Sequence, residues 1–176
     1  GSCVYVAEIG DNASAATWPY AVYRFAEPNV EVTAPAGAQS VAAEKLALIY
    51  NGVDTAYFHP GLREEHRAAL RQKLGAGDTA KVILFVGSGF ERKGLATALR
   101  ALADLPASAH LLVVGKDKKL EQFRRLANKL GVEARTRFLG GQENVKSFYG
   151  TADAFVLPTL YDPFPNAALE AFACGL

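Results

Sequence analysis

The sequence predicts an α/β fold, a Rossmann-like parallel sheet with helices on both faces. Two observations carry this. Four short apolar runs, Val82–Val86, His110–Val114, Thr136–Leu139 and Ala154–Leu157, have the near-continuous hydrophobicity of strands buried on both sides. Helical patterns fall between and after them, at about Leu95–Leu105, Leu120–Leu130, Val145–Thr151 and Asn166–Ala173. Strand–helix alternation of this kind builds a parallel sheet with right-handed crossovers. At 176 residues, half of them hydrophobic and a fifth charged, the chain has the composition of a soluble domain with a sizeable core.

Residues 1–42 form an unassigned segment or the remnant of a preceding domain, and 43–176 the predicted domain. In the first segment Val4–Val6 reads as a strand, Trp18, Tyr20, Val22, Tyr23 and Phe25 as an aromatic packing cluster, and Ala34–Ala38 as a loop. Lys45–Tyr50 then reads as a strand ending at the turn pair Asn51-Gly52. A helix over Arg63–Leu74 follows, with Leu62, His66, Ala69, Leu70 and Leu74 on one face and a stop at Gly75. His59 and His66 have no partner cluster and read as structural or solvated. Cys3 and Cys174 lack metal-ligand spacing and read as free thiols, Cys174 as a small packed group.

The first of the four strands runs into Gly87-Ser88-Gly89-Phe90-Glu91-Arg92-Lys93-Gly94 and then a helix. Gly87 and Gly89 allow backbone close to a ligand, and Arg92-Lys93 sets two cations near a helix start. Those charges oppose the helix dipole unless an anion such as a pyrophosphate joins them. A dinucleotide Gly-x-Gly-x-x-Gly turn is excluded because Arg92 holds the third glycine position. A Walker A loop is excluded because Leu95 follows Gly94 where Lys is required. The second strand ends in Gly115, predicted to allow close approach, with Lys116, Lys118 and Lys119 as a solvated face; the third ends in Gly140-Gly141. After the fourth, Pro163 stiffens a loop and Pro165 takes the first helical position, with Ala168, Leu169, Phe172 and Ala173 along one side of the helix. Crevices between strand carboxyl ends and helix amino ends are where open α/β sheets bind ligands. Two carboxylates, Asp162 and Glu170, flank this one. A flavodoxin-like or response-regulator domain also alternates strand and helix, but requires acidic residues at the first strand's end, where this chain has Gly87-Ser88-Gly89.

A formal charge of +1 excludes a global attraction to nucleic acid, so an anion site must be local. No apolar run approaches the roughly 18 residues that span a bilayer, and no leader-like segment opens the chain, so a cytoplasmic location is expected.

Asp162 and Glu170, with Pro163-Phe164 after the first acid and Ala171-Phe172-Ala173-Cys174-Gly175 after the second, resemble the donor-site signature of retaining family 4 glycosyltransferases of the GT-B fold. The resemblance implies that Glu170 holds the nucleotide ribose and Asp162, one methylene shorter than the family's usual Glu, the sugar hydroxyls. It gives Phe164, Pro165, Asn166 and Ala167 the sugar and phosphate contacts. Gly87, Ser88 and Gly89 with the later Arg92-Lys93-Gly94 are similar to the diphosphate motif of bacterial lipopolysaccharide core glucosyltransferases. That implies Arg92 and Lys93 on the diphosphate, and Phe138–Gly141 backbone beside the base. Asn51–Asp54 followed by Phe58-His59-Pro60 resembles the family's entry into its second domain.

By this resemblance, residues 43–176 are one half of a GT-B fold, incomplete at the C-terminal end. The implied activity transfers a hexose, UDP-glucose favoured, with retention to an acceptor hydroxyl, lipopolysaccharide core among the acceptors. No cofactor or metal is implied, since Arg92 and Lys93 supply the charge and no Asp-x-Asp occurs. The implied partners are the nucleotide-sugar and a glycan or glycolipid acceptor held by a preceding domain. Peripheral association with the inner membrane would belong to the complete enzyme. The chain alone is expected to bind without turnover, and the alternative reading is a nucleotide- or sugar-binding or inert fragment.

Overall fold

Among the described residues, side-chain alternation along two strands divides the interior into two cores. The computed structural model describes residues 51–77, 79–162 and 164–176. The expectations for Val4–Val6, the cluster around Trp18, Ala34–Ala38, Lys45–Tyr50, Cys3 and Pro163 lie outside the described residues. The elements are α1 (Leu62–Leu74), β1 (Lys81–Val86), α2 (Leu95–Asp104), β2 (Ala109–Val114), α3 (Leu120–Lys129), a 3-10 turn at Glu133–Arg135, β3 (Thr136–Gly140), α4 (Lys146–Thr151), β4 (Ala154–Phe155) and α5 (Asn166–Ala173). All strand pairs among the described residues are parallel, in the order β3-β2-β1-β4.

Because successive strand residues face opposite ways, Val82 and Leu84 of β1 and Leu112 and Val114 of β2 enter one core with α1, α4 and α5. Phe85, Leu111 and Val113 enter the other, where α2 supplies Leu95, Ala98, Leu99 and Leu102 and α3 supplies Phe123 and Ala127. The spacing of those helix residues is the i, i+3, i+4, i+7 stripe of a half-buried helix. The fold is therefore the predicted Rossmann-like parallel sheet. No helix among the described residues is long and apolar enough to cross a membrane.

Four local expectations are corrected. The fourth strand is two residues rather than four: its last ladder contact is the Val156 N–H donating to the Leu84 carbonyl at 2.9 Å, after which the chain turns toward Pro158. Pro165 lies one position outside α5, in extended conformation (φ −73°, ψ 121°). On α5 the buried residue is Ala171, while Phe172 is 70% exposed. On α1, Ala69 is exposed and Arg71 is buried in its stead. Gly75 does end α1, in the left-handed conformation.

Arg71 is buried because α1 carries Arg63, Arg67 and Arg71 four residues apart on one stripe, all aimed at Asp153 at the foot of β4. Arg67 reaches its Oδ1 at 2.7 Å, Arg63 the same atom at 3.2 Å, and Arg71 its Oδ2 at 3.1 Å. The Val82 N–H donates to Oδ2 at 2.9 Å. Arg71 also donates to the carbonyls of Gly77, at 3.1 Å, and Ala80. Burial alone would raise the Asp153 pKa; the Val82 N–H and the Arg67 and Arg71 guanidiniums outweigh it together and hold the carboxyl at about 2.

Gly94 begins α2 with φ 77°, and a Cβ there would overlap the Pro158 carbonyl. This close approach seats the loop after β4 against the loop after β1. Gly94→Ala is expected to cost about 1–3 kcal/mol of stability through the forced separation, measurable by urea unfolding. A change below experimental error would show that the two loops are not packed this tightly.

Candidate functional site

The loops that follow β1 and β4 meet at the carboxyl ends of two hydrogen-bonded parallel strands. Arg92 joins them through its backbone and its side chain. Its carbonyl accepts from the Leu160 N–H at 2.9 Å and the Thr159 hydroxyl at 3.1 Å. Its guanidinium donates to the Tyr161 carbonyl at 2.8 Å. Held in that register, Asp162 forms a direct ion pair with Lys93 and stands 3.6 Å from Arg92. The Lys93 and Asp162 side chains are 13% and 11% exposed, so their attraction is little screened, whereas Arg92 is half exposed. Lys93 lies along Gly87, where a Cβ would stand 3.3 Å from its chain. The conflict between these cations and the α2 dipole is met here by the Asp162 carboxylate. Arg92 and Lys93 thus form a cationic corner, and Asp162 is turned into it.

Ser88 and Gly115 lace this corner to the loop after β2. The Lys116 N–H donates to the Ser88 hydroxyl at 3.2 Å, and a Cβ on Gly115 would overlap the Gly87 carbonyl, as close approach predicts. Asp117, which sequence reasoning gave no role, accepts the Phe90 N–H at 2.6 Å and the Lys119 N–H at 2.6 Å, fixing the Gly89 turn. Lys119 pairs with Glu91 at 2.6 Å; that contact raises its pKa. Gly89, Arg92, Lys116, Asp117 and Leu160 line an open cleft of about 570 Å³ at this end of the sheet, together with Glu91, Lys118 and Lys119.

Glu170 sits on α5, whose N-terminal turn begins at Asn166 just after Phe164 and Pro165. Its Oε2 accepts the Tyr149 hydroxyl at 2.7 Å; the same hydroxyl is 3.2 Å from the Ala167 carbonyl. Sequence reasoning missed Tyr149, since an aromatic in an amphipathic stretch looks like core. Cys174 is buried and free, and burial followed by the nearby Glu170 charge pushes its thiol up to about 11. His66 sits half-buried with Nε2 3.7 Å from Glu65, away from these loops in sequence. Among the described residues no group of three His, Cys, Asp or Glu is placed to hold a metal.

Of the residues singled out from sequence, the structure brings Asp162 directly onto Arg92 and Lys93, with Gly87, Ser88 and Gly89 in the same loop. Glu170 follows the neighbouring strand, on the helix that the Asp162 loop enters.

Residues 66–176 match the family model for glycosyl transferases group 1. The lipopolysaccharide glucosyltransferase WaaG of Escherichia coli (strain K12) is 38% identical over 114 residues, 62% of this chain and 30% of that protein. An uncharacterized glycosyltransferase of Methanocaldococcus jannaschii is 34% identical over 136 residues, 75% of this chain and 35% of that protein. The chain thus spans about a third of the length of the curated relatives it matches. Among solved structures, WaaG superposes with a TM-score of 0.68 at 33% identity, over 77% of this chain and 38% of its own. HepE of Anabaena, in complex with UDP and glucose, gives 0.67 at 25% identity, over 76% of this chain and 37% of its own.

Proposed function

The chain belongs to the glycosyl transferases group 1 family, and from that premise we propose that residues 43–176 are the donor half of a retaining, family 4 GT-B enzyme. Its substrate is a UDP-sugar, UDP-glucose favoured, and it passes the hexose to an acceptor hydroxyl of a glycan or glycolipid, lipopolysaccharide core being the first candidate. The acceptor is held by the rest of a two-domain protein that works in the cytoplasm or peripherally at the membrane.

One observation carries this reading: Arg92 and Lys93 converge on a carboxylate at the carboxyl ends of β1 and β4. A corner that already holds one anion at two cations suits a diphosphate. On donor binding, the β-phosphate takes the place of Asp162 on Lys93, and the released carboxylate turns to the sugar hydroxyls. Glu170 accepts from the ribose, and the amides at the start of α5, with Phe164 and Pro165 before them, close over the sugar and phosphate. As the bond from the anomeric carbon to the diphosphate oxygen breaks, Lys93 and Arg92 stabilise the charge left on that oxygen, and the acceptor oxygen bonds the carbon on the same face as its proton passes to the departing diphosphate. The likeness to a lipopolysaccharide glucosyltransferase and to a structure holding UDP and glucose supports the choice of donor.

Calorimetric titration with UDP is the test. The chain is expected to bind UDP saturably, and Glu170→Ala to weaken it by about 1.5–3 kcal/mol, the net worth of a hydrogen bond to a charged group. Absence of saturable binding, or equal affinity in the variant, would remove the donor site from this chain.

A further inference from the structure

We propose that Tyr149 is a positioning residue for the donor ribose, acting through Glu170: its hydroxyl fixes one carboxylate oxygen so that the other is presented to the ribose hydroxyls. The inference rests on Glu170 being the ribose carboxylate and adds the device that aims it. A glutamate on a helix surface has three rotatable bonds, and ordering it on ligand binding costs affinity. Here the ordering is built in. The Tyr149 hydroxyl donates to Glu170 Oε2 at 2.7 Å, leaving Oε1 for a second donor.

Tyr149 is itself immobile. It is 1% exposed, with the Phe58 ring edge-on at 5.6 Å and the Phe155 ring at 6.2 Å. Burial first, then the Glu170 contact, raises its pKa far above the physiological range, so the hydroxyl keeps its proton and remains the donor. The ring stands on α4 and the carboxylate on α5, so the carboxylate takes its orientation from a neighbouring helix through the core.

The test compares UDP with 2′,3′-dideoxy-UDP on wild type and Tyr149→Phe, which keeps the ring and removes the hydroxyl. Wild type is expected to prefer UDP. Tyr149→Phe is expected to weaken UDP by about 3–10-fold while leaving the dideoxy analogue unchanged, a difference that a purely structural loss does not produce. If wild type does not distinguish the two nucleotides, the ribose role of Glu170 fails and this proposal with it. If wild type distinguishes them and the variant matches wild type, or loses both nucleotides equally, the tyrosine's role alone is overturned. A slowly exchanging Tyr149 hydroxyl proton, observed by NMR in the wild-type chain, tests the contact without any substitution; its absence also overturns the proposal.

Discussion

Asp153→Ala is expected to lower the unfolding free energy by about 3–5 kcal/mol, the range for removing one partner of a buried ion pair. The carboxylate itself is not the main cost. Once it is gone, Arg71, whose side chain is 6% exposed, is left charged in the core with its Gly77 and Ala80 carbonyl contacts but no counter-ion, and the Val82 N–H loses its acceptor. Arg63, 48% exposed, contributes little because solvent screens it. The same clasp sets an acid dependence. A carboxyl at about 2 in the folded chain against 3.8 when unfolded means the unfolded state binds more protons between those values, so stability falls as pH falls. The contribution, roughly 2 kcal/mol at 1.36 kcal/mol per unit, is complete above about pH 4 and lost as pH drops through 2. Urea unfolding at neutral pH and between pH 4 and 2 checks both parts. Wild type should lose stability across that window and Asp153→Ala should lack this share of the loss; parallel pH profiles would show that the clasp does not hold Asp153 ionised.

The strands were legible because β1 and β2 are apolar on both faces, which few other contexts produce, and the α2 stripe of Leu95, Ala98, Leu99 and Leu102 left one orientation open. The helix α5 was harder. With Ala168, Leu169, Ala171, Phe172 and Ala173 nearly all apolar, periodicity does not choose a face. The choice of Ala171 over Phe172 goes with the Tyr149–Glu170 contact, between residues 21 positions apart in sequence. The clasp at Asp153 had a local half, three arginines at four-residue spacing, but its acceptor lies more than 80 residues away and gives no signal in α1. At the site, Arg92-Lys93 and Asp162 were each visible as motifs. Their pairing was not, because it depends on three long-range bonds that each have a main-chain partner and leave no local signal: the Leu160 N–H and the Thr159 hydroxyl donating to the Arg92 carbonyl, and the Arg92 guanidinium donating to the Tyr161 carbonyl. Asp117 was hidden for the same reason: its partners are main-chain amides.

Lys93→Ala is expected to weaken UDP binding by about 1.5–3 kcal/mol, the net worth of a hydrogen bond between charged groups, or roughly 10–150-fold. Two features of the corner shape that number. Lys93 is only 13% exposed, so its attraction for a diphosphate survives salt better than that of half-exposed Arg92. Against this, Lys93 must give up Asp162 to take the phosphate, which keeps the loss toward the lower part of the range. The variant also leaves the Asp162 carboxylate without its nearest cation, where it repels an incoming anion. Lys93→Ala with Asp162→Ala is therefore expected to bind UDP better than Lys93→Ala alone, a coupling of the kind that contacting residues show in double-mutant cycles. The dependence on ligand charge separates this from general damage: the loss should shrink for UMP and vanish for uridine. In a two-domain enzyme the same substitution should slow transfer by about 100–1,000-fold, because the diphosphate gains charge as it leaves. An equal loss for uridine and UDP would mean that Lys93 supports the loop rather than the phosphate, and the anion-binding corner would then be a structural ion pair.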